Sequence, residues 1–178
     1  HVSAENGRYN ATNLAADVGG SSDKFDYYVA ASDFSTDGFN SLVADNESQD
    51  ADGYDNTTLH ARLGYQATQD LKLGFVARNT DSEGEYDNCG FGATASNNCT
   101  NDFEQTNVRA TANYSHGASE HEFAVSKMFI ERNNYTQGEF GFGAKGYSEK
   151  AEYLGNTELN QDTRLVYGID WEKEAITS

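Results

Sequence analysis

The chain has 178 residues, no proline, and a formal charge of −17 from 29 acidic and 12 basic side chains, a balance that repels phosphate backbones and excludes nucleic acid as the expected partner. Its hydrophobic fraction of 37% and mean hydropathy of −0.76 are low for a chain that must fill a packed core of its own. With 17 Gly, 11 Tyr and 10 Phe, it is suited to long strands joined by Gly, Asn and Asp turns, and the fold class read from it is all-β.

Alternating segments recur at residues 1–8, 10–19, 24–36, 54–66, 71–82, 103–115, 121–133, 147–159 and 164–175, predicting about nine strands. In the fourth, Leu59, Ala61, Leu63 and Tyr65 alternate with Thr58, His60, Arg62 and Gly64. In the fifth, Leu71, Leu73, Phe75 and Ala77 alternate with Lys72, Gly74, Val76 and Arg78. The sixth sets Val108, Ala110, Ala112 and Tyr114 against a face holding Arg109, and the ninth sets Leu165, Tyr167, Ile169 and Trp171 against one holding Arg164. A face so rich in charge suits a water-filled lumen, which turns the apolar face to lipid, with Tyr65, Phe75, Tyr114, Tyr167 and Trp171 as interfacial aromatics. The seventh strand breaks the pattern, because Lys127 shares a face with Phe123, Val125 and Phe129; a bulge or a snorkelling lysine would each account for it.

Short polar connectors (GSSDK, ATQD, HGASE, NQDT) alternate with long ones at residues 37–53, 83–102 and 134–146; only the connector around Gly7–Asn10 is short where a long one is due. Such alternation puts the short turns on one edge of an antiparallel up-and-down sheet and the long loops on the other, as in a transmembrane β-barrel. Strands of about 9–13 residues match what a tilted strand needs to cross a bilayer. No apolar run approaches the length of a transmembrane helix, so strands must carry any membrane role.

Within DNCGFGATASNNC, Cys89 and Cys99 lack the partners of a zinc site and predict a local disulfide in an oxidising compartment, with two free thiols as the alternative. GEFGFGAKG, residues 138–146, lacks the Walker Lys-Ser/Thr and reads instead as an outer loop tip offering Phe140 and Phe142 to a ligand. Neither the four histidines nor the many carboxylates have the spacing of a catalytic constellation, and no enzyme activity is expected.

The phrases DKFDYYVAASDFSTDGFNS, DGYDNTTLHARLGYQATQDLKLGFVARNTDSEGEYDN and YGIDWEKEA together resemble the first nine barrel strands of the TonB-dependent outer-membrane receptors, in the style of the cobalamin transporters. The resemblance implies a 22-stranded barrel in the bacterial outer membrane, closed by an N-terminal plug and importing a small-molecule ligand of the cobalamin or iron-siderophore class. Residues 1–178 would then be a partial barrel domain surrounded by outer-membrane lipid, a fragment whose contact with the TonB complex runs through a plug it lacks. It further implies a Ca²⁺ site in the long loops, carried onto Asp50 and Asp52 of QDADGYDN and Asp87 of EYDN. Asn40 of DGFN stands where the family has Asp, and Asp102 neighbours the last ligand position. Two rival readings are a small complete outer-membrane barrel, acting as channel or adhesin, and a soluble secreted β-sandwich that binds carbohydrate or calcium.

Overall fold

The computed structural model describes residues 1–42, 51–90 and 96–178. Nine strands form one antiparallel sheet whose spatial order is the chain order: β1 (Val2–Asn6), β2 (Thr12–Ser21), β3 (Phe25–Phe39), β4 (Asp52–Gln66), β5 (Leu71–Tyr86), β6 (Cys99–His116), β7 (Ser119–Thr136), β8 (Glu139–Asn160) and β9 (Thr163–Thr177). No helix occurs among the described residues. All nine predicted strands are present, and the sheet is open, with β1 and β9 at its two edges.

Several strands run further than alternation predicts. β5 continues to Tyr86, so Glu83 and Glu85 lie on a strand rather than in a loop. The connector at 134–146 is not a long loop, since β7 and β8 are joined by Gln137 and Gly138 alone, with φ of 55° and 80°. Positive φ at both central residues is the geometry of a type I′ hairpin, whose twist matches that of the flanking strands. Phe140 and Phe142 therefore belong to β8, where Gly141 is the extra residue of a bulge between the pairs Tyr135–Phe140 and Asn134–Phe142. Long connectors remain at 40–51 and 87–98, and they share one end of the sheet, the loop end.

Cross-strand partners share a face, so the pairings trace rows of side chains across the sheet. One row of the apolar face reads Gly20, Tyr27, Leu63, Phe75, Ala110, Val125, Ala151 and Trp171. On β2 the apolar stretch Leu14, Ala16, Val18 lies one to three outward positions above that row, toward the loop end. On β9 the stretch Leu165 to Trp171 runs from three positions below the row up to the row itself. The upper limit of the apolar band thus falls by three positions and its lower limit by four across seven strand intervals. At about 3.3 Å per residue and about 4.8 Å per strand, the band stays level only if the strands tilt by roughly 30–40°. Membrane barrels tilt their strands by about 35–45°. The diagonal drift is what such a wall requires.

The sheet has no core of its own. Among the described residues the only buried apolar side chains are Cys89, Cys99 and Ala124, whereas Phe75 is 41% and Ile169 73% exposed. A β-sandwich covers such a face with a second sheet, and here all nine strands lie in one. Among the described residues nothing covers the apolar band.

β7 pairs with β6 from Ser119 to Thr136 without a register shift, so no bulge explains Lys127. Its Nζ lies 2.8 Å from Glu149 Oε1 on β8, and Lys173 follows in the same row on β9, with its ammonium 5.7 Å from the Tyr147 ring centroid. This charged row lies one position above Val125, Ala151 and Trp171, at the upper boundary of the band.

Candidate functional site

At the loop end the structure brings together three of the expected cation ligands. Asp52 Oδ2 accepts from the Ser41 amide at 2.7 Å, and Asp87 Oδ2 accepts from the Ser41 hydroxyl at 3.2 Å and the Leu42 amide at 3.1 Å. Asn40 Oδ1 accepts from the same Leu42 amide at 2.8 Å. Side chains from the ends of β3, β4 and β5 are thereby gathered on a two-residue stretch of backbone. Asp87 Oδ1 is buried without a hydrogen-bond partner, the state of an oxygen that a cation would satisfy. Asp52 Oδ2 and Asp87 Oδ2 already hold donors, and among the described residues no three acidic, His or Cys side chains stand close enough to enclose a metal.

Asp102 does not join this cluster. It lies on β6, on the face that carries Val108 and Ala110, between Glu83 of β5 and Asn133 of β7. Burial and a hydrogen bond to the Asp102 carboxylate push the Tyr135 phenol up from its ordinary range. Asp50 lies outside the described residues. The cation site carried over from the resemblance is therefore split, with Asn40, Asp52 and Asp87 together and Asp102 on the wall.

The predicted disulfide is formed. Cys89 and Cys99 are joined, their Cα atoms 6.0 Å apart, and the bond ties the 87–98 connector to the first residue of β6. Cys99 is 2% exposed, and the Thr136 hydroxyl on β7 donates to Cys89 Sγ at 3.3 Å, so the bridge packs against the neighbouring strand. Phe140 and Phe142 are exposed, on opposite faces of β8. Phe140 pairs with Tyr135, its ring centroid 6.0 Å from that of Tyr135, whereas Phe142 pairs with Asn134 on the polar face.

The polar face holds every cation assigned to it by the sequence, and most are neutralised in place. Asp26 takes Arg62 at 3.3 Å and Lys72 at 3.1 Å. Arg109 bridges Glu152 at 2.5 Å and Glu122 at 3.3 Å, Lys150 reaches Glu152 at 3.0 Å, and Arg164 meets Glu158 at 2.9 Å. Gly64 and Gly74 lie in one row between Asp26 and Thr111; a Cβ at Gly64 would run into the Asp26 carboxylate. Arg78 has no carboxylate within ion-pair distance among the described residues.

Sequence reasoning missed a collar of carboxylates on the other face, just above the apolar band. Asp81, Glu83, Asp102, Glu104 and Glu131 line one hollow of about 360 Å³ there. Lys145, 2.9 Å from Glu131, donates to it and, with Asn133, holds the Glu131 carboxyl below its ordinary range. The signal was available in the spacing of two between Asp81, Glu83 and Glu85.

No family model matches the chain. It is similar to the vitamin B12 transporter BtuB of Photobacterium profundum, 25% identical over 130 residues that cover 73% of this chain and 21% of the relative. The chain thus spans about a fifth of the length of that relative, and the likeness to a transporter is a distant one.

Proposed function

We propose that this chain is wall and vestibule of an outer-membrane β-barrel transporter that takes up a scarce small-molecule ligand, of the vitamin B12 or iron-siderophore class, with energy delivered through TonB. The carrying observation is the apolar band: a single sheet without a core has a lipid-ready belt that drifts across its rows as tilted strands demand. The likeness to a vitamin B12 transporter points to the ligand class. In this reading the paired charges of the polar face line the interior, and the plug and the TonB contact reside in other parts of the polypeptide. The role is passage rather than chemistry.

The test is uptake of labelled vitamin B12, and separately of a ferric siderophore, by cells expressing the full-length protein with and without TonB. Uptake that is saturable and TonB-dependent supports the reading, and no uptake of either ligand rejects it. Ca²⁺ is proposed as a loop-end cofactor held by Asp52 and Asp87, with Asn40 beside them. Hydrogen exchange of residues 37–55 and 81–102 in the full-length protein, with and without millimolar calcium, checks it. Unchanged protection sinks the metal.

A further inference from the structure

The two faces of the sheet divide their charge unequally toward the loop end. On the apolar side, above the band, stand Asp33, Asp55, Asp81, Glu83, Asp102 and Glu104, with Asp81 paired to Glu104 and Asp55, Glu83 and Asp102 adjacent in one row. On the polar side of the same strand segments, from β4 to β7, no carboxylate occurs: alternate positions of 56–60, 78–84, 101–107 and 128–134 bear amides, hydroxyls, Gly84, Phe103, Met128, Ile130, His60, Arg78 and Arg132, and the carboxylates of Asp52 and Glu139 stand beyond them at the rim. In a chain of charge −17 this absence is local and one-sided.

Two arginines mark the surface. Arg78 lies between His60 and Asn107 in one row, in a hollow of about 420 Å³ that His60, Asn107, Met128 and Ser148 also line and that contains no carboxylate. Arg132 is flanked by Phe103 and Ala144, and the same row continues through Ser82 and Asn56 to Phe34. Both side chains are exposed, and neither has an ion pair among the described residues, in contrast to Arg62, Arg109 and Arg164. A guanidinium presents a planar fork of donors that matches a carboxylate, phosphate or sulfonate. Amides and hydroxyls around it bond neutral polar groups, and Phe34 and Phe103 offer flat apolar contact.

From this charge division we infer that the loop-end half of the polar face is a binding surface for an anion-bearing, hydrogen-bond-rich solute, with Arg78 and Arg132 as its anion contacts. The inference rests on the transport reading in taking the polar face as the interior. The acidic collar on the opposite face leaves it intact, because the wall separates the two surfaces and salt screens what remains.

The experiment uses the full-length protein in detergent and a fluorescent trisulfonated pyrene as the probe, followed by anisotropy at low ionic strength. Wild type binds it saturably; Arg78→Gln and Arg132→Gln each weaken binding about tenfold, the loss of a charge-assisted hydrogen bond. Arg132→Lys, which keeps the charge, retains most of it, and Arg62→Gln, whose partner Asp26 already neutralises it, leaves it unchanged. No saturable binding to wild type, or binding unmoved by both glutamine variants, overturns the proposal, including the case in which another part of the chain covers both arginines. Vitamin B12 and siderophore uptake is scored on the same variants. Uptake without anion binding rejects this surface alone, and anion binding without uptake of either ligand rejects the transport reading alone.

Discussion

Ala110 on β6 and Ala151 on β8 lie in one row of the apolar face, two strands apart and separated by Val125, and both are exposed in the isolated sheet. If that face met water, arginine at either position would be harmless. In a tilted wall the two differ in depth. On β6 the band runs from Val108 to Tyr114, with Ala110 inside it. On β8 it ends at Ala151, and the next outward position is Glu149. With a strand spacing of about 4.8 Å and a tilt of about 40°, two strand steps change the level by about 6 Å. That brings Ala151 close to the boundary of a belt about 25 Å tall. We expect Ala110→Arg to cost about 2–4 kcal/mol and Ala151→Arg about 0–1 kcal/mol, because the longer side chain at 151 reaches the interface and Glu149. Reversible denaturant unfolding of the full-length protein in phospholipid vesicles reads both values, with Asn107→Arg on the polar face as a near-neutral control. Equal costs at the two alanines would refute the tilted band, and no cost at either would refute lipid contact altogether.

Replacing both Cys89 and Cys99 by Ser should release the 87–98 connector; the chain-entropy model assigns a loop this short about 3 kcal/mol, and hydrogen exchange should show lost protection there but not in β4. Glu131 is held below its ordinary range by Lys145, so its contribution is present above the unfolded-state value and is lost as pH falls through the lower folded value. Exchange at the β7–β8 hairpin should therefore rise in acid, and Lys145→Gln should remove that step. Asp55, Glu83 and Asp102 are direct neighbours in one row, and like charges placed so are destabilising. Raising the ionic strength should protect the loop-end amides of β4 to β6 and leave those at Leu63 and Phe75 unchanged; an equal response at both ends would show that the collar is not the cause.

Where the sequence alternates apolar with polar, it named the strands; where the outward residues turn from apolar to acidic, it stopped. Glu83 and Glu85 continue the period of two from Asp81, but a rule that looks for apolar members reads them as loop. The Gly-rich run after Thr136 failed for another reason. A Gln-Gly pair is a weaker hairpin signal than Asn-Gly, and glycines on either side suggested a flexible tip rather than a bulge at Gly141. The partner of Lys127 is Glu149, 22 residues away, and only the register of β8 reveals it. At the loop end Asn40, Asp52 and Asp87 meet, whereas Asp102 falls by parity on the same face as Val108 and Ala110. The disulfide was legible because Cys89 and Cys99 share one short polar loop without the partners of a zinc site.

The composition that first argued against an ordinary globule has a structural explanation. In a packed domain, hydropathy measures how much core the chain can build; in a wall, only every second residue within the belt needs to be apolar, and the rest face water. The extensions of β5 and β6 beyond the belt add mainly polar residues, which lowers the mean further without weakening the belt. The −17 charge is spread over both faces: on the polar face Asp26, Glu122, Glu152 and Glu158 are paired with Arg62, Lys72, Arg109, Lys150 and Arg164, Asp170, Glu172 and Glu174 of β9 have no ion pair among the described residues, and a further share stands in the collar above the apolar band. Net charge therefore says little about what the interior binds. Toward the loop end of the polar face, the charges left without an ion pair on β5 and β7 among the described residues are those of Arg78 and Arg132, opposite in sign to the chain as a whole.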